Sequence, residues 1–174
     1  MKKLFLTIGL AAMTALVHGQ GTISFGNSTL TRIQVVYPGQ AARNATAADG
    51  LSFRLFVGPA GSSADALVQA SGTANIGPVD GVLVNASSVL PLPGTESGQV
   101  LSFQVRAWLS DGEMLIGPPV RQVVLGQQAG PGAVIWTADP ASRTFYVVPE
   151  PSTLALAALG GLLLLFRWRK AARM

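Results

Sequence analysis

The chain has 174 residues, 49% of them hydrophobic and 11% charged, with 20 Gly, 11 Pro, no Cys and a formal net charge of +4. Those counts exclude a disulfide scaffold, a thiolate metal site and a disordered polyelectrolyte. The positive charge sits at the two ends: residues 20–149 hold six arginines, no lysine and seven acids, a formal charge of −1, so no nucleic-acid partner is expected.

Residues 1–19 open on Lys2 and Lys3, run apolar over 4–17 and close on His18 and Gly19. This is the three-part layout of a secretory signal peptide. The lysines hold the start at the cytoplasmic face, while the apolar run, too short for a lasting span, enters the translocon. Val17 and Gly19 suit the small pockets of signal peptidase, which places the expected cleavage before Gln20. The Sec translocon and signal peptidase are thus the first expected partners.

Residues 20–147 are expected to form the ectodomain. Between 20 and 149 stand 16 Gly and 10 Pro, which leaves little room for amphipathic helices. Short alternation fits instead. Leu51, Phe53, Leu55 and Val57 share one face of a strand, and Leu101, Phe103, Val105, Ala107 and Leu109 share one face of another, with Ser102, Gln104 and Arg106 turned away. Further strands are expected at 22–25, 31–37, 66–70, 82–85, 120–125, 133–136 and 143–148, separated by turn signals such as Asp49-Gly50, Asp80-Gly81 and Asp111-Gly112. The expected fold is all-β, a single antiparallel β-sandwich with which a jelly roll is compatible. The three Asp-Gly pairs are spaced by 31 residues, but the sequences between them do not repeat, so they are expected to be hairpin turns and not units of a solenoid.

The only histidine is His18, inside the removable segment, so the remaining domain has neither imidazole nor thiol nor lysine. That removes Ser-His-Asp and Cys-His machinery, Schiff-base chemistry and the usual zinc and copper ligands. No cofactor and no metal are expected. Carboxylate chemistry stays formally open, since a glycan hydrolase needs only two acids about 5–10 Å apart. Asp49, Asp80, Asp111 and Glu113, however, stand beside turn glycines, where solvated loop carboxylates are the ordinary reading. No Asp-x-Asp-x-Asp pattern points to calcium. Asn27, Asn44 and Asn85 head glycosylation sequons and are taken as surface turns. Trp108 falls on the face of Ser102, Gln104 and Arg106, where an indole could stack on a sugar ring while Arg106 and Gln104 donate hydrogen bonds. The plainer reading is a tryptophan covering the edge of the sandwich, and Trp136 and Phe56 pose the same question more weakly.

The last segment, 148–174, places Pro149, Glu150 and Pro151 before an apolar run at 154–166 and the cations Arg167, Arg169, Lys170 and Arg173. The apolar run precedes the cations, so the tail stays cytoplasmic and everything upstream lies outside. Thirteen helical residues span only about 20 Å against roughly 30 Å of hydrocarbon, which suits transient residence as a transmembrane helix better than permanent anchorage. The two prolines hold the preceding stretch extended, as a processing enzyme acting on an extended chain requires. These residues resemble the PEP-CTERM sorting signal of Gram-negative bacteria. The resemblance implies export, recognition of Pro149-Glu150-Pro151 at the inner membrane by an exosortase (a cysteine-dependent, transpeptidase-like membrane enzyme), a stop-transfer role for the four terminal cations, and association with exopolysaccharide and biofilm. The central domain also loosely resembles the β-rich ectodomains found with such tails, through residues 21–27, 55–61 and 105–108. Those ectodomains have no assigned activity. The expectation is a non-enzymatic surface or matrix protein, with a carbohydrate-binding module as the alternative and a carboxylate-dependent glycan hydrolase behind it.

Overall fold

The computed structural model describes residues 20–127 and 130–148. The expected signal peptide, the Pro149-Glu150-Pro151 tripeptide, the expected transmembrane helix and the cations Arg167, Arg169, Lys170 and Arg173 lie outside these residues. Among the described residues no helix is long and apolar enough to cross a membrane.

The domain is all-β, with three single-turn 3-10 helices between strands. Its centre is the antiparallel pair β4 (Ser52–Pro59) and β9 (Val100–Trp108), the two segments with the clearest alternation. Phe53 lies opposite Ala107 and Leu55 opposite Val105, so one face of both strands is apolar and buried. Around this pair the largest sheet runs β10-β9-β4-β6-β7, formed with β10 (Arg121–Val124), β6 (Ala74–Ile76) and β7 (Leu83–Val84), while β5 (Val68–Gln69) pairs with the far part of β4. A second sheet places β1 (Gln20–Ser24) between β11 (Ala133–Val134) and β8 (Leu90–Glu96). A third places β2 (Gln34–Val36) between β12 (Thr144–Tyr146) and β3 (Arg43–Asn44). One core joins them: the ring of Phe53 meets Phe145 edge-on at 5.3 Å, and Phe25 packs on Trp136 at 6.5 Å.

Several expectations change. β3, β6 and β8 form where no strand is expected. β8 carries Pro91 and Pro93, which speak against a strand in sequence. It is an edge strand paired with β1 alone, so its open side lacks no partner for the missing donors. The sheets are mostly but not wholly antiparallel, because β1 with β11 and β2 with β12 run parallel. Each parallel pair joins strands more than a hundred residues apart, long enough for the crossover that parallel pairing demands. Ser102 faces away from the apolar core side yet is buried, since the turn after β4 folds over it and Gly61 N–H donates to its Oγ at 2.9 Å.

The three Asp-Gly pairs do form turns, with φ of +64° at Gly50, +73° at Gly81 and +94° at Gly112. At Gly81 the demand is also steric, because a Cβ there would stand 2.9 Å from the carbonyl oxygen of Ile33. Trp136 is a core residue whose indole N–H donates to the Phe25 carbonyl at 2.6 Å.

Candidate functional site and the start of the sorting motif

The outward face of β4 and β9 brings Trp108, Arg106 and Gln104 together. The register sets Ser52 opposite Trp108, Arg54 opposite Arg106 and Phe56 opposite Gln104, so these side chains form three rungs on one surface. Diagonal neighbours then interleave: the Arg54 guanidinium lies 5.2 Å from the Trp108 ring centre, and that of Arg106 lies 4.2 Å from the Phe56 ring centre. The two rings are 6.1 Å apart. Much of the polar capacity is used within the protein. Arg106 donates from Nε to Gln104 Oε1 at 3.0 Å and from Nη2 to the Ala64 carbonyl, Gln104 Nε2 donates to the Pro118 carbonyl at 3.1 Å, and Arg54 Nε donates to Thr73 Oγ1 at 3.1 Å. Trp108 is half-buried rather than free-standing. The ladder is therefore a rigid, cationic and aromatic surface whose rings are each covered on one side by an arginine.

A second polar cluster escapes the sequence reading. Asp49 is not a solvated turn carboxylate: Arg43 pairs with it through both guanidinium nitrogens, Tyr37 donates to it from its hydroxyl at 2.9 Å, and Thr46 donates its backbone N–H at 2.7 Å and its hydroxyl at 3.0 Å. Burial by itself would raise the Asp49 pKa, but the hydrogen bonds from Arg43, Thr46 and Tyr37 outweigh it and hold the carboxyl well below the usual carboxylate range. The Tyr37 hydroxyl moves the other way, raised by burial and by its bond to Asp49. Every oxygen of Asp49 is committed, so the cluster ties β3 and its turn to the end of β2 and offers no base for catalysis. A signal was present in sequence: Thr46-Ala-Ala-Asp49 has the spacing of a capping box.

Asn27, expected as a surface turn, is likewise tied in. Its amide donates to the carbonyls of Thr31 and Gly81 at 2.9 and 2.7 Å and accepts from Leu83 N–H at 2.8 Å. Asn85 adopts φ +59°, in keeping with a turn. Among the described residues no group of three or more His, Cys, Asp or Glu is placed to hold a metal ion.

The third region is where the fold hands over to the carboxyl end. The segment 114–116 pairs with β9 at one side and with β12 at the other, through the bridges Trp108 to Met114 and Ile116 to Tyr146. It thereby joins the largest sheet to the third. Val147 follows β12, donates its N–H to the Val36 carbonyl at 3.0 Å and packs partly on the core. Val148 is exposed and marks the end of the described chain.

Comparison with known proteins is informative for this end alone. Neither curated proteins nor solved structures give a match. Residues 147–170 match the family model described as the PEP-CTERM protein-sorting motif, which implies export, sorting to the cell surface and an exosortase as processing partner. Its first two residues, Val147 and Val148, are the last of the described residues. The chain therefore carries a PEP-CTERM protein-sorting motif, which begins at the residue that follows β12.

Proposed function

We propose that the chain is a non-enzymatic surface or extracellular-matrix protein, delivered by the Sec route, freed of residues 1–19 by signal peptidase, held transiently in the inner membrane and released or transferred by an exosortase. The observation that carries this reading is the matched motif at 147–170, which starts at the residue after β12. In this scheme Pro149, Glu150 and Pro151 are recognised just outside the bilayer, the apolar run 154–166 pauses within it, and Arg167, Arg169, Lys170 and Arg173 stop transfer. The ectodomain is a two-layer β-sandwich, a reading supported by the single core that all three sheets share. Intact mass and location of the protein, compared between cells with and without their exosortase and between the natural chain and a Pro149→Ala, Pro151→Ala variant, test the scheme. The expected result is a shorter product at the surface or in the medium only for the natural chain with the enzyme present; identical mass and location in all four cases would overturn it.

A second reading, supported by the grouping of Trp108, Arg106 and Gln104 on one sheet face, is a module that binds matrix exopolysaccharide. It predicts pull-down on the host polysaccharide that drops about two- to tenfold in Trp108→Ala, since loss of one stacked ring costs about 0.5–1.5 kcal/mol. Unchanged binding in that variant would remove the site.

A further inference from the structure

The sheet face that leads into the sorting motif is more apolar than its position warrants. Met114, Ile116, Tyr146 and Val148 are exposed by 56%, 60%, 49% and 41%. Register makes them one surface. With Trp108 opposite Met114 and Ile116 opposite Tyr146, alternation places all of these side chains on the outward face and sets Val148 beside Met114. A cleft lined by Gln104, Arg106, Met114 and Ile116 opens on the same face. Scattered exposed apolar residues are ordinary, but a contiguous group next to a functional element marks an interaction surface.

Two observations identify what covers it. From Val148 to Leu154, where the apolar run of the motif begins, there are six residue steps. A fully extended chain gains at most about 3.3–3.6 Å per residue, so once that run is in lipid the Val148 edge of this face lies within about 20–22 Å of it. The composition matches the lipid boundary as well: a tryptophan and a tyrosine flank aliphatic side chains, and two arginines adjoin them. Neither Arg54 nor Arg106 has a carboxylate within ion-pair distance among the described residues, where the one salt bridge is Arg43 to Asp49. Their hydrogen bonds go to neutral acceptors, so both guanidinium groups keep a full positive charge beside this face.

We propose that the outward face formed by Trp108, Met114, Ile116, Tyr146 and Val148, with Arg54 and Arg106 at its margin, docks on the membrane surface while the sorting motif is inserted, so that the folded domain lies against the lipid boundary beside the tripeptide. This rests on the membrane-inserted stage of the proposed function. Docking fixes the domain on one side of the tripeptide and shortens the search of a membrane-bound enzyme for its substrate.

The chain has no cysteine, so one introduced thiol carries one label. Full-length Ile116→Cys, Val134→Cys and Ala158→Cys variants, each bearing an environment-sensitive fluorophore, are reconstituted into vesicles of equal parts phosphatidylcholine and phosphatidylglycerol. Lipids with a quencher near the headgroup or deep in the acyl chain report contact. Val134 is exposed on β11 of another sheet and serves as the control. The expected result is quenching by the shallow lipid at residue 116, quenching by the deep lipid at residue 158 and none at residue 134. Quenching at 158 without quenching at 116 overturns the docking and leaves the membrane stage intact. Absence of quenching at 158 overturns the membrane stage and the docking with it. A blue shift at 116 without lipid quenching assigns the face to a second protein copy, and equal quenching at 116 and 134 to unselective adsorption; either overturns the proposal. Met114→Cys, at a second exposed position, must repeat the result for residue 116.

Discussion

Asp49 stands beside a turn glycine, where the ordinary carboxylate is solvated, yet it receives hydrogen bonds from Tyr37 and Thr46 and pairs with Arg43. Its pKa is held low in the folded state and returns to its ordinary value of about 3.9 on unfolding. The cluster therefore adds stability that is complete above about pH 4 and is lost as pH falls below it. Asp49→Asn is expected to cost about 1–3 kcal/mol at neutral pH, because the Arg43 guanidinium and the Tyr37 hydroxyl lose a charged acceptor. Denaturant unfolding at pH 7 and pH 3 checks both parts: the variant should be weaker at pH 7, and the difference should shrink at pH 3. The capping-box spacing of Thr46 and Asp49 could be read from sequence, whereas the arrival of Tyr37 could not, because nothing local says that the end of β2 returns to this turn.

Alternation made β4 and β9 legible because each has one face in the core and one outside, a condition that writes period two into the sequence. β8 was not legible, since its prolines are permitted by an edge position that only the assembled sheet creates. The parallel strands β11 and β12 are short and owe their pairing to partners near the start of the domain. β12 contributes Phe145, which is fully buried against Phe53 and so links the third sheet to the largest one. Phe145→Ala is expected to destabilise the domain by about 3–5 kcal/mol, the range for an aromatic removed from a packed core, as measured by the shift in denaturant midpoint. A loss below 1 kcal/mol would mean that β12 is an attachment and not part of the core.

One continuous core runs through all three sheets, and the strands that close it come from both ends of the domain. The whole should therefore unfold as a unit: tryptophan fluorescence, which includes the buried Trp136, and far-ultraviolet circular dichroism are expected to give the same midpoint. Separate midpoints would divide the domain. Sequence alone determined the sorting motif and the all-β class, because motif spacing and residue alternation are local properties of the chain. Tertiary structure alone decided the parallel pairings, the burial of Asp49 and the joining of residues 114–116 to the strand that precedes the motif. Each of these depends on contacts between segments far apart in the chain, and no local pattern encodes which distant partner a short strand or a turn will meet.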